Sequence, residues 1–264
     1  MRMKLALGAA LAGAALLGVI AVGFSSAQSS KSGGFTTEEE DEIREVVRDY
    51  ILEHPDVILE SVNAYAEREH ANSIAEREQY ARDNLAALLD ERHGVVAGAN
   101  PSAASVAVIE FFDYHCAFCK RASDFVKTLT EDDPGVKVVF RELPILREES
   151  DYAAEFALAS RAQGKYTDLH FALLAQNGVM TKNSIKALAA KVGVNSTLVE
   201  KELKNPAIKE AIEETHRIAS EMAIDGTPTF VIASLKGDFV KIVEGNRRED
   251  VTAAIAEAKK AAKK

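Results

Sequence analysis

The sequence predicts an α/β domain interrupted by a block of helices and carried behind a separate helical arm. Three observations predict it. Four short apolar runs, at 106–113, 136–143, 229–233 and 240–243, have the length and β-branched content of buried strands. Helical composition separates them in the order strand, helix, strand, helical insertion, strand, strand, helix. Ahead of them, residues 36–92 are rich in Glu, Arg and Ala, with no glycine and a single proline.

The chain of 264 residues opens Met1-Arg2-Met3-Lys4, continues through an uncharged apolar stretch from Leu5 to Phe24, and reaches Ser25-Ser26-Ala27. A short basic start, an apolar segment and small residues at the exit predict a signal peptide over 1–27 and export to the periplasm. An uncleaved anchor is the competing reading, since about 20 apolar residues can span a bilayer. The polar linker 28–35 favours cleavage, and the lack of a cysteine after the apolar segment rules out a lipid anchor on that residue. Loss of 1–27 removes Arg2 and Lys4, so the formal charge moves from −9 to −11. A chain this acidic is a poor partner for nucleic acid or an anionic membrane.

The arm is read over 36–93. Thr37 and Glu40 have the spacing of a capping box, and Ile43, Val46, Val47, Tyr50 and Ile51 mark one apolar face. Pro55 disfavours helical geometry at His54, so a break is expected there. Val57, Ile58, Val62 and Tyr65 continue the stripe, and Leu85, Leu88 and Leu89 close it. Such a segment cannot fold alone; it docks on its own domain or on copies of itself. The polar stretch from Tyr65 to Leu85 favours an oligomerisation stalk. Residues 94–105, with Gly94 and Pro101, read as a linker, and 106–264 as the α/β domain with its helical insertion at about 148–222. The last helix, from about Arg248, ends in lysines that suit the negative end of its dipole.

Chemistry is concentrated in Phe111-Phe112-Asp113-Tyr114-His115-Cys116-Ala117-Phe118-Cys119-Lys120-Arg121, which holds both cysteines of the chain. With Cys116 at a helix start, Cys119 lies one turn on, on the same face. Unpaired amides and the helix dipole then favour a Cys116 thiolate, with Lys120, Arg121 and a protonated His115 adding positive potential. A stabilised thiolate is both nucleophile and leaving group, as thiol–disulfide exchange requires, and Cys119 is the resolving thiol. A purely structural disulfide across four residues would remove little unfolded-state entropy. A zinc site lacks further ligands, so no structural metal is assigned. Soft thiolates bind Cu(I) with few ligands, which keeps copper handling open. The five histidines His54, His70, His93, His170 and His216 show no ligand spacing and are assigned to the surface.

The element order matches a thioredoxin fold interrupted by helices. With the C-x-x-C after a buried strand and Gly226-Thr227-Pro228-Thr229-Phe230 ahead of a later one, residues 104–262 resemble the DsbA-like thiol–disulfide oxidoreductases of the thioredoxin superfamily. The resemblance implies that Pro228 is cis, that Thr227 contacts the client backbone, and that Glu110 is a buried carboxyl relaying protons for Cys119. Phe118 and His115 are the further client-contact candidates. The Ala117-Phe118 pair between the cysteines differs from the Pro-His of the DsbA oxidase and resembles disulfide isomerases. Isomerase or reductase action on exported proteins is therefore expected, with dithiol oxidation as the alternative. No cofactor is implied, because the two sulfurs carry the electrons, and a membrane redox partner would reset them. Residues 37–89, with Tyr50-Ile51-Leu52 ahead of Pro55, resemble the N-terminal extension of the Com1/ScsC-type subgroup. That resemblance implies a homo-oligomer, with a trimer among the states it allows.

Overall fold

A computed structural model describes residues 34–236 and 238–263. The expected signal peptide and residues 28–33 of the expected linker lie outside the described residues. The chain divides into two units, one ending at Ser61 and the other running from Val62.

In the first unit, helix α1 spans Thr37–Glu53. Its cap is Thr36, one residue earlier than the sequence suggests. The Thr36 N–H donates to Glu39 Oε2 at 2.7 Å and the Glu39 N–H to Thr36 Oγ1 at 3.3 Å. Adjacent threonines followed by Glu38, Glu39 and Glu40 satisfy the same spacing in two registers, and only the extended backbone of Thr36 selects one. His54 leaves helical geometry (φ −125°, ψ 64°) ahead of Pro55, and α2 follows over Asp56–Asp83. No residue of α1 is buried, and Val46, Val47 and Tyr50 are each more than half exposed.

The second unit is built on a five-stranded mixed sheet: β1 (Val95–Ala97), β2 (Val106–Phe112), β3 (Val136–Glu142), β4 (Thr229–Ser234) and β5 (Val240–Glu244), in the order β1-β3-β2-β4-β5. Only β2 and β3 pair in parallel. The parallel pair is joined by helix α4 (Ala117–Asp132), the crossover such a connection needs. Every residue of β2 is buried. Val106, Val108 and Phe112 pack with Ala122, Val126 and Leu129 of α4, while Ala107, Ile109 and Phe111 face Ile218, Ala219 and Met222. Burial on both faces explains the continuous apolar run that marks this strand in the sequence.

Helices α5 (Glu148–Ala159), α6 (Tyr166–Leu174), α7 (Lys182–Lys191), α8 (Ser196–Glu202) and α9 (Pro206–Glu221) form the insertion, with a single 3₁₀ turn after α5, and α10 (Arg248–Ala261) closes the fold. Pro206 occupies the first turn of α9, where its missing N–H costs nothing. The architecture is a mixed sheet flanked by helices, with a helical insertion and an N-terminal helical region, as the sequence reading expects.

Three features depart from the sequence reading. The segment expected to link the two parts, 94–105, carries β1, whose three residues pair with β3 but are too few to register as a strand. The polar stretch 65–85 belongs to the second unit. Ala81 is fully buried, as is Leu88 of the short α3 (Leu85–Leu88). Arg77 bridges to Glu244 at 2.6 Å, and Glu78 accepts from the Ile242 N–H at 3.3 Å. Small and long ionic side chains cover the sheet edge there, so burial leaves no apolar periodicity to read. His170, assigned to the surface, is wholly buried among Phe112, Phe140 and Tyr166, and burial holds it neutral, with its pKa lowered to about 3.

Candidate active site

Strand β2 delivers the chain to the site, and the turn 113–116 passes it into α4. Cys116 is the N-cap of α4, with an extended backbone (φ −72°, ψ 118°), and its carbonyl accepts the first helical bond from the Lys120 N–H at 3.1 Å. The sulfur lies where the first-turn amides have no helical partner. Its pKa is lowered from 9.0 to about 5. The hydrogen bond from the Cys119 thiol contributes most and outweighs burial, with further support from Thr227 and the Cys119 and Phe118 amides. Cys116 retains 6 % exposure, whereas Cys119 has none. Burial, the Cys116 sulfur and Glu110 all push the Cys119 thiol far up. Both thiols are free.

Glu110 sits on the same face of β2 as Val108 and Phe112, beneath α4. It is fully buried, and neither carboxyl oxygen has a hydrogen-bond partner. Desolvation, followed by the Cys116 charge, raises its pKa from 4.5 to about 8. From the far side of the sequence comes the turn ahead of β4, with a cis Thr227–Pro228 bond. The Cys116 thiol lies 3.0 Å from the Thr227 carbonyl oxygen, to which it donates. The Thr227 hydroxyl is buried without a partner. Because β4 pairs with both β2 and β5, Pro228 marks a special turn, not a sheet edge.

Cys116, Cys119, Glu110, Thr227 and Pro228 thus converge from two ends of the chain. Phe118, 54 % exposed, flanks them, with the Arg121 guanidinium 4.2 Å above its ring. His115 does not join the client-facing group. Its side chain is 2 % exposed, and both ring nitrogens are engaged within the fold. Nor does it supply positive charge, because burial lowers its pKa below the usual 6.5. Lys120 is tied to the Gln176 carbonyl, leaving hydrogen bonds as the main support of the Cys116 thiolate.

The sequence gives no sign of a second buried carboxyl. Glu142, at the end of β3, accepts from Tyr114 at 2.9 Å and Tyr166 at 2.8 Å, and burial pushes its pKa well above the ordinary carboxyl range. Two tyrosines at 28 and 24 residues' distance could not be matched to it without the fold. Among the described residues, no cluster of three or more His, Cys, Asp or Glu side chains is placed to hold a metal ion. No described helix is long and apolar enough to cross a membrane.

A C-x-x-C at the head of α4, opposed by a cis-proline turn, defines a thioredoxin-like redox site. The chain belongs to the DSBA-like thioredoxin domain family, whose model matches residues 107–256. Residues 39–71 match the copper resistance protein ScsC N-terminal domain. The chain thus combines a DSBA-like thioredoxin domain with a segment similar to the ScsC N-terminal domain. A thioredoxin-like oxidoreductase from Silicibacter pomeroyi shares 35 % identity at a TM-score of 0.60, over 66 % of this chain and 96 % of its own. Salmonella enterica Typhimurium BcfH shares 27 % at a TM-score of 0.71, over 84 % and 96 %. The Na(+)/H(+) antiporter NhaA 1 of Salinispora arenicola is 28 % identical over 134 residues, covering 50 % of this chain. The chain spans about a fifth of the length of the curated relatives it matches, 21 % for this one.

Proposed function

We propose that this protein is a periplasmic disulfide isomerase and reductase acting on exported proteins. The observation that carries this reading is the placing of two sulfurs one turn apart at the head of α4 against the cis-proline turn: Cys116 is the N-cap with its pKa lowered to about 5, and Cys119 is wholly buried with its pKa raised. The Cys116 thiolate attacks a client disulfide, forming a mixed disulfide and releasing one client thiolate. A client thiolate then attacks that bond and frees Cys116, leaving the client rearranged with no net change of electrons. Otherwise Cys119 gives up its proton and attacks the Cys116 sulfur. The Cys116–Cys119 disulfide forms, and the client leaves as a dithiol with two electrons gained.

Glu110 is the base for the second route. While Cys116 is a thiolate, its charge helps keep Glu110 protonated. Mixed-disulfide formation removes that charge, so Glu110 ionises more readily when Cys119 must lose its proton. Thr227 and cis-Pro228 position the client, the unpartnered Thr227 hydroxyl turning to the Cys116 sulfur once that sulfur is a thiolate, and Phe118 provides an exposed apolar contact. The electrons reside in the sulfurs, and a membrane redox partner resets them.

The arm makes the protein a homo-oligomer in this reading. Ile43, Val46, Val47 and Tyr50 are exposed in the single chain and lie at helical spacing, a face suited to copies of itself. Several reactive thiols around one scrambled client raise their effective concentration.

Refolding of a scrambled disulfide protein, run beside oxidation of a reduced one, tests the assignment. Faster recovery of the scrambled client, lost in Cys116→Ser, is expected. Preferential oxidation would make the protein a dithiol oxidase, and stoichiometric Cu(I) binding without turnover would make it a copper-handling protein. Light scattering of the full chain carrying Val47→Glu and Tyr50→Glu tests the arm; an unchanged mass per particle refutes assembly through that face.

A further inference from the structure

The turn ahead of the nucleophile is fastened to the helical insertion by a buried polar unit that the exchange chemistry does not use. Asp113 is its centre. Its Oδ1 accepts the His115 N–H at 2.7 Å and the Ser150 hydroxyl at 2.8 Å; its Oδ2 accepts the N–H groups of Ile145 at 2.9 Å and Leu146 at 3.0 Å. Its backbone carbonyl takes the Cys116 N–H at 3.0 Å. His115 extends the unit: the Met180 N–H donates to Nε2 at 3.1 Å, and Nδ1 lies 2.9 Å from the Ser150 hydroxyl.

The donors dictate the proton positions. An Nε2 that accepts carries no proton, so the neutral ring holds its proton on Nδ1 and gives it to Ser150, whose own proton goes to Asp113. The chain Met180 N–H, His115, Ser150, Asp113 is therefore directional and complete. All three side chains are buried, with Asp113 at 2 % and Ser150 at 1 % exposure. A satisfied buried network of this kind holds one geometry, because each broken link strands a polar group away from water.

We propose that Asp113, Ser150 and His115 are positioning residues that lock the turn 113–116 to the helical insertion, so that the insertion sets the reactivity of Cys116. Ser150 lies in the first turn of α5, and Met180 lies between α6 and α7. Lys120, one turn into α4, reaches the same 176–180 segment through the Gln176 carbonyl. Two segments of the insertion therefore grip the turn from which the Cys116 side chain projects. A small rotation of that turn changes how the sulfur meets the Phe118 and Cys119 amides and Thr227. The insertion thereby acts on the site without touching a sulfur.

The inference rests on the exchange role of Cys116 but not on the direction of exchange. Ser150→Ala in the full-length protein removes one hydroxyl, leaving the Asp113 carboxylate short of a donor and the His115 Nδ1–H without an acceptor. Two quantities are read on the reduced and equilibrated protein: the pH midpoint of Cys116 alkylation, and the equilibrium constant of the C-x-x-C with glutathione. A higher alkylation midpoint and an equilibrium constant changed about fivefold, the worth of one hydrogen bond, are expected. His115→Asn, in a turn that tolerates asparagine, is the second variant and carries the same expectation. If either variant keeps the parent's circular dichroism and both of its Cys116 readings coincide with the parent's, the inference is overturned. Loss of the isomerase assignment would appear separately, as refolding activity that survives Cys116→Ser.

Discussion

Replacing Glu110 by glutamine should stabilise the reduced protein above pH 4.5 and slow it as a reductase. Glu110 is a carboxyl whose folded pKa, about 8, stands above its ordinary 4.5. Between those values the unfolded chain has released a proton that the folded chain still holds, so folding stability falls as pH rises through that window. Each pH step costs about 1.4 kcal/mol, giving about 3 kcal/mol at pH 7 and more at pH 8. Both oxygens already lack partners, so a neutral amide of the same shape adds no new unsatisfied group. The expected gain is therefore negligible at pH 4.5 and about 3 kcal/mol at pH 7, which moves the urea midpoint by about 1 M for a slope of about 3 kcal/mol/M. Urea unfolding of reduced wild type and Glu110→Gln at the two pH values is the assay. Release of a reduced client should meanwhile slow by about 100-fold, the low end for a positioned base. Equal stability differences at pH 4.5 and pH 7 would refute a proton held by burial, and unchanged client release would refute the relay.

Three further outcomes follow from the same geometry. Alkylation of Cys116 should reach half its limiting rate near pH 5 and be flat at neutral pH; because this folded pKa lies below the ordinary 9.0, the stability of reduced over oxidised protein should rise with pH between those values, and unfolding titrations of both forms measure it. Thr227→Val removes a hydroxyl that is unpartnered beside the Cys116 thiol and free to turn toward the thiolate; since hydrogen bonds to charged groups are worth about 1.5 kcal/mol or more, the alkylation midpoint should rise by roughly one pH step. Phe118→Ser should leave thermal unfolding within about 0.5 kcal/mol of wild type, because the ring is exposed, while raising KM for an unfolded client in steady-state refolding.

Much of this protein is legible in one dimension because its signals are local. Buried strands β2 and β3 advertise themselves through unbroken apolar runs, Pro55 through its own stereochemistry, and the redox site through two cysteines one turn apart beside a strand end. Glu110 stands out for the same reason, as a lone carboxyl inside an apolar strand. What the chain alone determined was the succession of the four longer strands along it, the break in the arm and the placing of both cysteines at the head of a helix. Tertiary structure alone decided which polar side chains turn inward. His115 lies beside the nucleophile in sequence yet points to Ser150 and Met180, 35 and 65 residues away. His170 vanishes into an aromatic core, Glu142 meets two distant tyrosines, and Arg77 and Glu78 brace β5 from a helix that reads as solvent-exposed. The physical reason is common to all of them. Apolar burial follows the periodicity of a single element, whereas the surroundings of a buried polar group come from residues far away in the sequence.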